Sequence, residues 1–235
     1  MCALNMTDTL ELAANHGSSG QGKVLYDWAG EGCESALKFL DSAQLGSQPY
    51  DIAIVGAGVV GCALAYKLSL FRSRVVLIDK NYDVGEGSSK GNSAIVHTGF
   101  DATPGSLESK LVTQAARQWP ALAEKLKIPY AQCGAVLLAI DGEQGAQLPQ
   151  IYKKALDNGV DDVRLLTAGE AKELEPQAPA YIRGGLLVPR ESIADPFTTS
   201  IAFAELALTN GVDLLLGTSI VAVENPASYI DLEKT

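Results

Sequence analysis

The chain runs to 235 residues with 47% hydrophobic content, enough to bury a core and about the size of one large domain or two small ones. Its formal net charge of -10 disfavours a nucleic-acid surface and an anionic membrane face, since both need clustered Lys and Arg. The four cysteines, Cys2, Cys33, Cys62 and Cys133, stand far apart without a C-x-x-C pair, which argues against a zinc site or a disulfide framework and leaves no metal ligands to assign.

Residues 1–49 read as a polar leader containing Gly and Ser, with one short helix expected around residues 31–42, where Ala36, Leu37, Phe39 and Leu40 share a face. The leader shows neither a basic flank before an apolar core nor an Arg-rich amphipathic presequence, so a cytoplasmic location is expected. From Tyr50 the pattern changes. Ile52-Ala53-Ile54-Val55 reads as a short buried strand, Gly56 to Gly61 as a tight turn, residues 59–70 as a helix and residues 74–79 as the next strand. Residues 52–70 have the length of a membrane span, but their glycines, Lys67 and the strand-turn-helix reading argue against a transmembrane segment.

A Gly/Ser/Asn-rich loop follows at residues 85–93, then a helical region at 107–127 that Pro120 is expected to kink or split. Residues 130–140 read as extended, and residues 143–158 and 168–174 as helices. Residues 184–189 read as a strand, 196–210 as a helix, and 212–216 with 219–223 as a last pair of strand-like runs before a polar tail. The order strand, helix, strand at residues 52–79 is that of a right-handed parallel crossover, which predicts an α/β fold.

Gly56-Ala57-Gly58-Val59-Val60-Gly61 is G-x-G-x-x-G, a weak signal alone that gains weight from its context. It follows a strand, opens a helix and is followed 18 residues after Gly61 by Asp79. Gly56 permits the sharp turn, Gly58 lets backbone approach a pyrophosphate, and Gly61 lets helix and strand pack closely. The helix N-terminus, with Ala57, Val59 and Val60 supplying backbone, offers free N–H groups and a positive dipole end to phosphates. Asp79, with Lys80 beside it, is placed to accept hydrogen bonds from ribose hydroxyls, and its charge would repel a 2′-phosphate. The fingerprint does not separate NAD from FAD.

The following segment carries a family resemblance. Gly91-Asn92-Ser93-Ala94-Ile95-Val96-His97-Thr98-Gly99 and then Pro104-Gly105-Ser106-Leu107 resemble the N-S-x-x-x-H-x-G and PGSL-like segments of FAD-dependent oxidoreductases of the D-amino-acid oxidase superfamily. The likeness is greatest to the branch with L-2-hydroxyglutarate and glycerol-3-phosphate dehydrogenases, and it continues through Gln132-Cys133-Gly134, Val188-Pro189 and Ile193-Ala194-Asp195-Pro196. It implies a partial FAD-type Rossmann-like dinucleotide-binding domain interleaved with the start of an α+β substrate or cap domain. On that reading residues 1–49 are an extension, 50–129 the FAD-binding β-α-β unit and flavin loop, 130–190 part of the substrate or cap domain, and 191–235 a return helix and strands.

The resemblance further implies FAD as cofactor, with Ser88, Ser89, Asn92 and Ser93 along its pyrophosphate and flavin side and His97 toward the flavin ring. His97 then serves as a base, substrate or flavin contact, since imidazole titrates near neutral pH, or else is a hydrogen-bonded structural histidine; the residues leave both open. The implied chemistry is oxidation of a CH–OH group in a small anionic molecule, a 2-hydroxy acid or glycerol 3-phosphate, with an electron acceptor that the sequence does not name. Amine oxidation on the same scaffold is the alternative. Arg183 and Arg190 are candidates for meeting an anion, though lone arginines are more often surface charges, and Cys62 reads as a packing residue. The family's later strand with its Asn-Ala-Ala-Gly-like turn, and a still later Gly/Asp segment, have no counterpart before Thr235. A C-terminally incomplete enzyme, one part of a split enzyme completed by a second polypeptide, or a non-catalytic FAD-binding fragment is therefore expected.

Overall fold

A computed structural model of the chain describes residues 49–220; the helix expected at residues 31–42 lies outside them. In chain order the elements are β1 (Ile52–Val55), α1 (Val59–Leu68), β2 (Val75–Ile78), β3 (Ile95–Val96), α2 (Leu107–Leu126), β4 (Tyr130–Ala131), β5 (Ala135–Ala139), α3 (Gly142–Asp157), β6 (Arg164–Leu166), α4 (Ala168–Leu174), β7 (Gly184–Val188), β8 (Ser192–Ala194), α5 (Pro196–Thr209) and β9 (Asp213–Leu215). The described residues divide into two compact units, 49–91 with 200–220, and Asn92–Thr199. These cuts differ from the boundaries expected at 129 and 190, because Ile95 and Val96 pair with Ile193 and Ser192 and so take the segment after Gly91 into the second unit. No helix among the described residues is long and apolar enough to cross a membrane.

The first unit holds an all-parallel sheet in the order β1-β2-β9. Ile52 to Val55 pair in register with Val75 to Ile78, and Val76 to Ile78 with Asp213 to Leu215. Every residue of the central β2 is buried, as an aliphatic run between two parallel neighbours requires. β1, expected to be buried, is not: only Ile54 is, and Val55 is 68% exposed. Among the described residues β1 has a strand neighbour on one side only. At the foot of the sheet the Tyr50 hydroxyl donates to Asp213 Oδ2 at 2.7 Å, and Arg74 lies over the Tyr50 ring at 4.6 Å. Burial, then the Asp213 carboxylate, pushes the Tyr50 phenol up from its ordinary value.

The second unit contains two antiparallel three-stranded sheets, β3-β8-β4 and β5-β7-β6. Its main apolar cluster joins Ala139, Leu148, Ala155, Val160, Val163, Leu186 and Val188, with α3 covering β7. The stretch 130–140, expected as one extended run, turns at Gly134, where φ is +71°, and feeds two different sheets through β4 and β5. Pro120 does not split α2, which runs unbroken from the Ser106 cap to the left-handed Lys127. Pro120 is exposed, so the helical bond it forfeits lies where water can satisfy the carbonyl. The last expected strand is also absent as far as it is described: Ser219 and Ile220 are irregular, and residues 221–223 lie outside the described range.

Candidate functional site

In the first unit the G-x-G-x-x-G turn is held by its neighbours. Gly56 has φ +103°, a conformation that a side chain rarely adopts, and its N–H donates to Ile78 O at 2.7 Å, continuing the β1–β2 ladder into the turn. A Cβ on Gly61 would stand 1.9 Å from Gly56 O, so helix and turn meet backbone to backbone. Gly58 caps α1 without any side chain, and a Cβ there would meet Ser89 Oγ at 3.1 Å.

Two sequence-predicted side chains meet this turn. Asp79 Oδ2 accepts from Ala57 N at 2.6 Å and Oδ1 from Asn81 N at 2.8 Å. Each carboxylate oxygen retains a further lone pair for a hydroxyl donor. Ser89 Oγ accepts from Val59 N at 2.9 Å, and Gly85 N donates to Ala57 O at 2.7 Å, so residues 85–89 are tied onto the mouth of α1. Within that loop Lys90 bridges Asp83 and Glu86 at 2.6 and 2.9 Å. Val60, Lys80 and Ser88 are exposed around the same turn. A glycine-floored helix mouth, a carboxylate beside it and a hydroxyl already seated on a helix N–H fit the diphosphate and ribose of a dinucleotide.

Cys62, behind the turn, is fully buried and its thiol contacts Ala57 O at 3.3 Å. Burial, reinforced by Asp79, pushes that thiol up to about 12, so it packs as a neutral group and does not supply a nucleophile.

Asn92, Ser93 and His97 belong to the second unit. Asn92 and Ser93 are exposed, and Asn92 Oδ1 accepts from Ala94 N at 2.8 Å, where Ala94 takes a left-handed φ of +62°. His97 is exposed to 56% of its side chain, and its Nδ1 lies 3.4 Å from Glu191 Oε2. Glu191 is itself buried and accepts from Thr98 N at 2.7 Å and Thr98 Oγ1 at 2.8 Å. Sequence reasoning missed Glu191. No local pattern marks an acidic residue inside Val188–Ala194 as buried; only the β3–β8 register brings it opposite His97.

Downstream of His97, Asn158 Nδ2 donates to Gly99 O and Ala102 O at 2.8 and 2.7 Å, and Ser109 Oγ donates to Asn158 Oδ1 at 2.8 Å. Arg190 is engaged by Asp162 through two bonds of 2.8 and 2.7 Å and by Asp161 at 3.2 Å. Its guanidinium, chiefly by hydrogen bonding, holds the Asp162 carboxyl below the usual carboxylate range. Arg183 is exposed beside Gly145.

The model of the FAD dependent oxidoreductase (DAO) family matches residues 51–232. The chain is 37% identical over 175 residues to the glycerol 3-phosphate dehydrogenase of Caloramator mitchellensis, over 74% of this chain and 36% of that protein. It is 33% identical over 180 residues to the mitochondrial L-2-hydroxyglutarate dehydrogenase of Dictyostelium discoideum, over 75% and 39%. Among solved structures, the FAD-bound L-alpha-glycerophosphate oxidase of Mycoplasma pneumoniae superposes with a TM-score of 0.70 at 28% identity, over 74% of this chain and 46% of that one. Glycine oxidase of Geobacillus kaustophilus gives 0.68 at 29%, over 73% and 47%. The chain thus spans between about a third and a half of the length of these proteins.

Proposed function

The chain belongs to the family of FAD-dependent oxidoreductases, and on that premise we propose that it carries the nucleotide-binding part of an enzyme oxidising a CH–OH group in a small anionic substrate. A 2-hydroxy acid such as 2-hydroxyglutarate, or glycerol 3-phosphate, is the substrate class favoured by the names of the similar curated proteins. The single observation that supports the reading most is the glycine-floored mouth of α1 with Asp79 and Ser89 bonded onto it.

The N–H groups of Gly58, Val60 and Gly61 at the mouth of α1 receive the pyrophosphate, those of Ala57 and Val59 being held by Asp79 and Ser89, and the remaining lone pairs of Asp79 receive the ribose hydroxyls. Lys80, Ser88, Ser89, Asn92 and Ser93 contribute polar contacts along the cofactor. Held by these residues, FAD would supply the hydride acceptor for the substrate carbon. His97 takes the hydroxyl proton at Nε2 as that C–H bond breaks.

The likeness to glycine oxidase favours, as a second reading, amine oxidation on the same scaffold. A third reading, a chain that binds FAD without turnover until a second polypeptide completes it, is an outcome of the same experiment. The purified 235-residue chain is mixed with FAD, gel-filtered and scanned for flavin absorption, then exposed anaerobically to L-2-hydroxyglutarate, glycerol 3-phosphate or glycine. Retained flavin bleached by either hydroxyl compound supports the proposal. Bleaching by glycine alone supports amine oxidation, and retained flavin that no substrate bleaches supports the non-catalytic reading.

A further inference from the structure

We propose that Glu191 is the positioning residue for His97: it holds the imidazole proton on Nδ1 and so leaves Nε2 as the open acceptor. The inference rests on the reading of His97 as a proton acceptor and names the group that prepares it for that task.

The pairing follows from strand register. Ile95 and Val96 of β3 face Ile193 and Ser192 of β8, so the next position outward sets residue 97 against residue 191. The backbone around Glu191 is fixed independently of its side chain. Its N–H donates to Val188 O at 3.3 Å and its carbonyl accepts from Gly134 N at 2.8 Å. Beside it Ser192 Oγ donates to Arg190 O and accepts from the Tyr130 hydroxyl, at 2.8 and 2.7 Å. The Glu191 backbone is thus fixed, and the two bonds from Thr98 hold its carboxylate.

Glu191, 3% exposed, is the one acidic or basic side chain among the described residues that are fully buried. Burial of a carboxylate is costly unless its oxygens are met by donors. Thr98 supplies two donors, both to Oε1. The nearby cation, Arg190, is directed to Asp161 and Asp162 instead. That leaves Oε2 facing His97 Nδ1 at 3.4 Å, within ion-pair reach and slightly longer than an ordinary N–H···O bond.

A neutral imidazole carries a proton on one nitrogen and a lone pair on the other. An Nδ1 lone pair against Oε2 would set an acceptor face to face with a buried carboxylate oxygen, whereas an Nδ1–H could donate to it. Protonation of Nδ1 commits Nε2 to the acceptor role, on a ring that is 56% exposed and can reach a substrate proton. The tautomer so selected is the reverse of the one that histidine prefers when free in water.

The sequence contains two histidines, so His16→Gln leaves His97 as the sole imidazole signal. The full chain carrying that substitution and 15N-labelled histidine is studied by two-bond 1H–15N correlation at a pH where the ring is neutral. The expected spectrum shows Nδ1 as the protonated, pyrrole-type nitrogen and Nε2 as the bare, pyridine-type one. E191Q, which removes the charge and offers an amide N–H to Nδ1, is expected to invert that tautomer ratio.

A wild-type ring protonated on Nε2 overturns the proposal, and so does a ratio that E191Q leaves unchanged. Should E191Q not fold, the parent spectrum alone decides. Substrate oxidation together with an Nε2–H tautomer would overturn the role of Glu191 and spare the proposed reaction. An Nδ1–H tautomer in a chain without turnover would keep the Glu191–His97 pair and overturn the reaction.

Discussion

Glu205, on α5 of the first unit, lies among the buried Ala202, Phe203, Ala204 and Ala207, and its Oε1 has no hydrogen-bond partner among the described residues. Burial pushes its carboxyl up from 4.5 to about 7. Below about pH 4.5 the group is protonated both folded and unfolded and has no effect on stability. Between there and pH 7 the unfolded chain ionises while the folded one holds its proton, so stability falls as pH rises; above pH 7 the full cost is present and constant. The interval at about 1.4 kcal/mol per pH unit bounds this cost at about 3.5 kcal/mol, and partial solvent access reduces it to about 2 kcal/mol. Glu205→Gln keeps the shape without the charge. Urea unfolding followed by circular dichroism, at steps from pH 4.5 to 8, is expected to show the variant gaining on the parent chain by about 2 kcal/mol across that range. Taking the difference between the two proteins removes the titrations they share. A difference that is flat with pH, or a parent chain that gains on the variant as pH rises, would refute the reasoning.

Gly61→Ala would force a Cβ into Gly56 O, and is expected to lower stability by about 1–3 kcal/mol and to abolish measurable FAD retention in gel filtration; wild-type retention would show that helix and turn can separate freely. Asp79→Ala removes the acceptor of Ala57 N and the proposed ribose contact, so FAD affinity, read by flavin fluorescence, should weaken about tenfold or more, with unchanged affinity counting against the assignment. Asn158→Ala deletes three side-chain hydrogen bonds that fix the segment after His97; a loss of about 2–3 kcal/mol in urea unfolding is expected, and a loss under about 0.5 kcal/mol would mean that water replaces them.

The parallel unit was readable because its information is local. A strand, three glycines and a second β-branched strand lie within residues 52–78, and Gly56 and Gly61 report backbone demands that no other residue meets. Exposure was not readable: Val55 looks like core in sequence, but whether a strand is buried depends on neighbours far along the chain. β3, β4, β6 and β8 have two or three residues each, too few for any period to register. Pro120 misled in the opposite sense, since the general rule for helix interiors ignores how cheaply an exposed turn can give one carbonyl to water.

The site divides along the same line. Asp79 follows the glycine motif at a spacing set by one crossover, and the structure seats it on Ala57 N, while Ser89 reaches Val59 N from a loop whose Gly/Ser composition already marked it. Glu191 stands 93 residues from the Thr98 it accepts from, and a sequence rule that keeps charges in water would place it outside. Its burial breaks that rule beside the residue whose chemistry is most in question. The two donors from Thr98 are what offset the cost, and they and the facing His97 stand there only because β3 and β8 pair in one register. A slip of one residue in that pairing would put His97 and Glu191 on opposite faces, so the short β3–β8 ladder does more than join strands: it sets the buried carboxylate against the Nδ1 edge of His97.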